Sequence, residues 1–66
     1  MTEFIVKIRS IREGGGMLRG QHIDVGEWHE YARTLTRNGA LNTVWDARNQ
    51  FLREGCDDDY EFTVEP

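Results

Sequence analysis

The side chains best suited to chemistry are one cysteine, two histidines and a run of acids near the C-terminal end. His22, His29 and Cys56 carry the softer metal-ligating atoms, but no C-x-x-C or H-x-x-x-H spacing joins them. A nucleophilic cysteine needs a neighbouring base that a third group orients, and no such motif surrounds Cys56. The spacing therefore predicts no metal site, no cofactor and no catalytic residue.

The acids are concentrated in one segment. Residues 54–66 hold six acids and no base, so residues 1–53 hold the other six acids and all eight bases. The formal charge of −4 is thus the sum of +2 for the body and −6 for the end. A segment that carries charge of only one sign, here negative, attracts cations or cationic protein surfaces. The six acids are Glu54, Asp57, Asp58, Asp59, Glu61 and Glu65.

Three consecutive aspartates, Asp57 to Asp59, form the centre of this segment. A calcium loop places its acids at alternate positions and a glycine at the sixth, and this run does neither. Two interpretations remain: a solvated turn before a strand, or a surface that binds a protein partner. For the second, we expect contacts from Glu54, Asp57, Asp58, Asp59 and Glu61.

Two further acids, Glu27 and Glu30, precede the middle of the chain. They extend the acidic surface if both face a partner. The alternative is an ordinary solvated helix face, on which Glu30 and Arg33 pair at i, i+3. We include both acids among the predicted partner-binding residues.

Length and composition indicate one small globular domain over residues 1–66. Chains of this size bury only about 60% of their unfolded surface, which leaves no room for a deep substrate pocket beside a core. A single cysteine cannot form an internal disulfide, and no apolar run reaches the ~20 residues of a membrane span. We expect a monomeric protein in the cytoplasm of a host cell.

The N-terminal third predicts a β-hairpin. Phe4, Val6 and Ile8 alternate with other residues, which predicts a strand over residues 3–12. The three glycines at 14–16 then favour a reversal, with a returning edge strand over residues 17–23. The first strand is the most apolar and is expected at the centre of the sheet.

The remainder predicts two helices and a last strand. Asp24 resembles an N-cap, and Trp28, Tyr31, Ala32 and Leu35 have helical spacing up to a stop at Asn38-Gly39. A second helix is expected from Asn42 to Gly55, and a strand over 60–65. The predicted fold class is α+β, with the order β-β-α-α-β and both helices on one face of a three-stranded, mainly antiparallel sheet. The shared core is expected to contain Phe4, Val6, Ile8, Trp28, Tyr31, Leu35, Val44, Phe51, Phe62 and Val64.

Size, acidic end and element order together resemble the small anti-CRISPR proteins of phages and mobile elements, especially those directed against type I, Cascade-type surveillance complexes. The resemblance covers the whole chain in size, charge and layout and involves no shared motif. It implies a non-catalytic inhibitor that presents carboxylates to the Lys/Arg-lined surface on which Cascade binds DNA. The stretch EGCDDDYE is the surface that corresponds to it. Since eight bases remain, any mimicry of DNA is local.

Three alternatives remain open from the sequence. The first is a nucleic-acid-binding accessory module that uses a basic N-terminal hairpin with Lys7, Arg9, Arg12 and Arg19. The second is a small hydrolase or redox protein built on Cys56 and a histidine. The third is a subunit of a homo-oligomer without an activity of its own.

Overall fold

The computed structural model describes residues 3–18 and 20–66, with the backbone but not the side chain of Asp57. Within these ranges the chain forms five strands, one α-helix and one 3-10 turn. No helix in the described ranges has both the length and the apolar character needed to cross a membrane. The elements are β1 (Phe4–Ser10), β2 (Gly16–Leu18), β3 (Gln21–Ile23), β4 (His29–Thr34), α1 (Arg37–Glu54), the 3-10 turn (Asp57–Asp59) and β5 (Tyr60–Glu65).

An antiparallel sheet forms the centre of the fold, and its strand order is β4-β1-β5. The α+β class and the central position of β1 are confirmed. Val6 pairs with Val64, and Ile8 pairs with Phe62. Because side chains alternate across a strand, these apolar pairs lie on one face, and α1 covers that face.

The first predicted helix is wrong, because residues 29–34 form strand β4. A β-bulge explains the error. Val6 pairs with Ala32 but Lys7 pairs with Glu30, so Tyr31 is an extra residue on β4. The extra residue breaks the alternation of period two by which a strand is identified from sequence. The described residues therefore contain one helix instead of two, and Asp24 does not cap it.

The predicted N-terminal hairpin is also wrong in its pairing. The chain does turn after β1, where the Gly15 N–H donates to the Arg12 carbonyl oxygen at 2.9 Å. The returning strand, however, is divided into β2 and β3, which pair with each other. Both edges of β1 are already occupied by β4 and β5, so no edge remains for residues 17–23.

Helix α1 is longer than the predicted second helix, and it begins at Arg37 instead of after Asn42. Thr36 is the N-cap, and Asn38-Gly39, the predicted helix stop, lies in the first turn. The end at Gly55 is confirmed. Gly55 adopts the left-handed conformation, with φ of 78°, which a glycine accepts without steric cost.

The core is smaller than predicted. Val6, Ile8 and Phe51 are buried as expected, while Leu35 is 68% exposed and Trp28 is 38% exposed. The loss of the first predicted helix accounts for these two exposed side chains, since both were assigned to its inner face. The other buried apolar residues among those described are Ile23, Ala40 and Ala47.

Aromatic rings connect the helix to β5 on the covered face. Phe51 of α1 stacks on Phe62, with ring centroids 5.9 Å apart, and lies 5.1 Å from the ring of Tyr60. Tyr31 meets Phe62 edge-on at 5.6 Å. These contacts fix the C-terminal half of α1 against β5, and hence they fix the position of the acidic turn between the two elements.

Candidate partner-binding surfaces

The acidic end, which we define as Glu54 with the aspartates of the 3-10 turn, lies at the C-terminal end of α1. Glu54 and Asp58 are exposed. Asp59 is half-buried, and its Oδ2 lies 3.9 Å from Nη1 of Arg12. The carbonyl groups at a helix C-terminus carry a partial negative charge, which adds to the field of these carboxylates. The predicted contact through the Asp57 side chain lies outside the described part of the structure.

Glu61, which was predicted to belong to the same surface, has a cationic partner instead. Its Oε2 accepts a hydrogen bond of 2.8 Å from Nη2 of Arg9. The guanidinium of Arg9 also lies 4.5 Å from the centroid of the Trp28 ring. Because Phe62 faces α1, the neighbouring Glu61 is on the opposite, open face of the sheet. Much of its charge is compensated there.

Glu30 is also paired on the outer edge of the sheet. Arg33 donates to Glu30 at 2.8 Å and to Glu3 at 3.1 Å. The hydrogen bond to Glu30, followed by that to Glu3, raises the pKa of the exposed Arg33. Glu30, Arg33 and Glu3 therefore form a network in which Arg33 pairs with both carboxylates.

The cations of the basic N-terminal hairpin are similarly paired. Lys7 Nζ lies 2.8 Å from Glu65, and Arg9 and Arg12 face Glu61 and Asp59. Arg19, the fourth predicted cation, is outside the described residues. The three described cations thus form no unpaired basic stripe of the kind that binds phosphates.

Glu27 occupies a different setting from the other predicted acids. It is exposed in the connection between β3 and β4, where its carboxylate lies near those of Asp24 and the imidazole of His29. The sequence pattern placed Asp24, Glu27 and His29 in one predicted helix and did not group them as ligands.

The outer face of α1 carries exposed apolar side chains. Leu41 is 50% exposed, Trp45 is 67% exposed and Leu52 is 60% exposed. Their spacings of four and seven residues place them on one side of the helix, which we call the outer stripe. A shallow groove of about 490 Å³ runs beside Trp45 and Leu52.

The sequence does contain the signal for this stripe. Ala40, Ala47 and Phe51 also have spacings of seven and four residues, and these are the buried ones. Two apolar stripes on one helix mean that only one of them can face the sheet. Phe51 belongs to the buried stripe and Leu52 to the exposed one.

Cys56 lies at a second cleft of about 490 Å³, which the glycine turn, His22 and Tyr60 also line. Its Sγ lies 4.0 Å from Glu54 Oε2. The second alternative from the sequence, a hydrolase or redox protein built on Cys56 and a histidine, stays a prediction.

No family model matches this chain, and no curated protein or solved structure is significantly similar to it.

Proposed function

We propose that this protein is a non-catalytic inhibitor that docks on a Lys/Arg-rich surface of a larger protein complex. The observation that carries the proposal is the arrangement along α1. The exposed side chains of Trp45, at the middle of the helix, and Leu52, in its last turn, lie on the helix that ends at Glu54 and is followed by the aspartate turn. An apolar anchor and a concentration of negative charge are thus built on one rigid element.

Trp45 is the proposed anchor of the interface. Tryptophan is enriched among residues that dominate binding energy, because its ring buries a large area with little loss of conformational freedom. In this fold the ring is two-thirds exposed, although the helix beneath it is fixed by buried Phe51. A partner that covers Trp45 and Leu52 would bury apolar surface without rearranging the core.

The acidic end is proposed to select a cationic partner. Glu54 and Asp58 are exposed, whereas Glu61 and Glu30 have arginine partners within the chain. Carboxylates that meet Arg or Lys across an interface form short charge-assisted hydrogen bonds. Their longer-range field mainly raises the association rate.

The biological setting that we propose is inhibition of a type I CRISPR surveillance complex. The resemblance to small anti-CRISPR proteins in size and in the acidic end supports it, whereas the β-β-α-α-β layout that was part of the resemblance is not the order of elements in the structure. The DNA-binding surface of such a complex is lined by Lys and Arg, so it fits the sign of the acidic end. Occupying that surface would block DNA binding without any chemical step.

Direct binding of nucleic acid is the weaker alternative. Lys7, Arg9 and Arg12 each face a carboxylate, and the chain carries a net charge of −4. A phosphate backbone would have to displace these intramolecular partners. A mobility-shift experiment with free DNA at low salt separates the two proposals, since only the alternative expects a shift.

The decisive experiment is a kinetic one. Purified Cascade, or the complex recovered from a host lysate, is immobilised, and association of the parent is compared with that of Glu54→Gln/Asp58→Asn. The two charges removed change the net charge from −4 to −2. Steering of this kind changes association rates by about tenfold or more, and it is screened by salt. We expect slower association and a flatter salt dependence, with an unchanged melting temperature.

The matched control is Glu3→Gln/Glu65→Gln, which removes the same formal charge from acids that are paired with Arg33 and Lys7. This control should associate at nearly the parental rate. If both double variants bind like the parent, the acidic end is a solvated turn and the proposed docking surface is wrong. Unchanged Cascade activity in the presence of saturating protein would remove the CRISPR setting.

A further inference from the structure

We infer that Asp24, Glu27 and His29 form a binding site for a divalent transition-metal ion of the Zn²⁺ type. This site is independent of the acidic end and of the proposed docking. One ligand atom from each residue lies within 4.8 Å of the other two. Each side chain is exposed or half-exposed, so small rotations can bring the three atoms onto one ion.

The connection between β3 and β4, which carries Asp24 and Glu27, is fixed at both ends. Val25 forms a parallel bridge with Ser10, and the Gly26 N–H donates to the Ser10 carbonyl oxygen at 2.9 Å. Ser10 itself is fully buried. His29 opens β4 and pairs with Ile8 in the sheet. The backbone around Asp24 and Glu27 is therefore held in place before any ion binds, which lowers the ordering cost of binding.

A second observation points to a missing ligand. The Nε2 atom of His29 is inaccessible to solvent and has no hydrogen-bond partner among the described residues. A buried polar atom without a partner costs free energy. Coordination of this nitrogen to an ion, after the His29 ring turns toward Asp24 and Glu27, would give it the partner that the described chain does not supply.

His22 is placed to position the carboxylate of Asp24. Its Nε2 lies 3.1 Å from Asp24 Oδ1. Outer partners of this kind orient a ligand and are common around protein metal sites. His22 lies in β3, two residues before Asp24.

The ligand types select the class of ion. One imidazole nitrogen and two carboxylates suit Zn²⁺, whereas Ca²⁺ and Mg²⁺ favour sites made only of oxygen atoms. Three protein ligands leave further coordination positions for water. The same positions could receive a donor atom from a partner protein.

The test uses the full chain after treatment with a chelator. Zn²⁺ is titrated calorimetrically, and Co²⁺ is used as a spectroscopic probe whose visible absorption reports nitrogen and oxygen coordination. We expect one ion per chain and a higher melting temperature with Zn²⁺. Asp24→Asn, Glu27→Gln and His29→Gln should each weaken Zn²⁺ affinity by at least about tenfold, and His22→Gln by ~10- to 100-fold.

Glu13→Gln is the matched control, because it removes one exposed carboxylate outside the cluster. Its Zn²⁺ affinity should equal that of the parent. Asp24 and Glu27 are exposed, so their variants should remain folded even if His29→Gln does not. Binding that Glu13→Gln weakens as much as Glu27→Gln does, or no binding of Zn²⁺ to the parent, would overturn the inference. If the metal-free protein binds Cascade at the parental rate, docking does not depend on the metal site, and each proposal is tested by its own experiment.

Discussion

The Oγ1 atom of Thr36 accepts a hydrogen bond from the backbone N–H of Gly39 at 3.0 Å. This bond satisfies one of the N–H groups that the first turn of a helix leaves unpaired. Thr36 has extended backbone angles, with φ of −131° and ψ of 153°, as an N-cap residue requires. The change from strand β4 to helix α1 therefore takes place within two residues, between Thr34 and Arg37.

Replacing Thr36 with alanine should destabilise the protein by about 0.5–2 kcal/mol, because the Gly39 N–H loses its acceptor. The measurement is the free energy of unfolding in urea. Asp24→Ala, in metal-free protein, serves as the comparison, since Asp24 lies outside the helix. Equal losses for the two variants would contradict the role of Thr36 as the cap.

Phe51 and Leu52 are adjacent in sequence but have opposite surroundings. Phe51 is 2% exposed and contacts two aromatic rings, while Leu52 is 60% exposed. Phe51→Ala should cost about 3–5 kcal/mol, because it leaves a cavity between the helix and β5. Leu52→Ala should change stability by no more than about 0.5 kcal/mol. Thermal or urea unfolding of both variants checks this pair, and a large loss for Leu52→Ala would show that the outer stripe is packed.

The strands β1 and β5 could be predicted from sequence because their apolar residues alternate without interruption. Strand β4 could not, for two physical reasons. The bulge at Tyr31 shifts the alternation, and the residues from Trp28 to Leu35 also fit a helical spacing. The open edge of β1 decides between the two structures, since pairing it with β4 satisfies a row of backbone groups. The sequence does not show that this edge needs a partner, because that depends on which strands lie beside β1 in the folded sheet.

The candidate surfaces show the same limit. The run of acids from Asp57 to Asp59 and its position at a helix end could be predicted, because both are local properties. The pairing of Glu61 with Arg9 could not, because it depends on the register between β1 and β5 across 52 positions. The cluster of Asp24, Glu27 and His29 likewise depends on how a loop crosses the end of the sheet.

Alkaline pH should weaken the fold through Tyr60. Burial of its ring, followed by the negative field of Cys56 and Asp59, raises the pKa of Tyr60 above the ordinary value of 10.0. In the unfolded chain the phenol loses its proton at about that value, whereas the folded protein retains it. The stability that depends on neutral Tyr60 is therefore complete below pH 10 and is lost as the pH rises through the higher, folded pKa.

The measurement is the urea midpoint between pH 8 and pH 11 for the parent and for Tyr60→Phe. The midpoint of the parent should fall more steeply above pH 10, since the variant has no phenol to ionise at this position. Other titrating groups are shared by both proteins and cancel in the difference. Parallel curves for the two proteins would show that Tyr60 does not titrate differently on folding.

The sign of the charge on the partner can be tested from the protein side with Arg53. This residue is exposed and is the basic residue in the last turn of α1, so it lies at the same helix end as Glu54 and beside the groove at Trp45. A cationic partner is attracted by Glu54 and repelled by Arg53. Arg53→Gln should therefore speed association at low salt, whereas Glu54→Gln should slow it. The two variants change the net charge in opposite directions, from −4 to −5 for Arg53→Gln and from −4 to −3 for Glu54→Gln, so the Glu3→Gln/Glu65→Gln control is needed to separate an effect of net charge from a local one.

A third variant, Trp45→Ala, tests the apolar anchor, because it should change the dissociation rate instead of the association rate. Loss of a buried aromatic anchor mainly accelerates dissociation, and anchors of this type cost at least about 2 kcal/mol in binding free energy when truncated. Association should stay near the parental rate, and the melting temperature should be unchanged because the ring is exposed in the free protein. Opposite signs for Arg53→Gln and Glu54→Gln, with faster dissociation for Trp45→Ala, are the expected pattern. If Arg53→Gln instead slows association and Glu54→Gln speeds it, the partner surface is acidic and the proposed mode of inhibition is wrong.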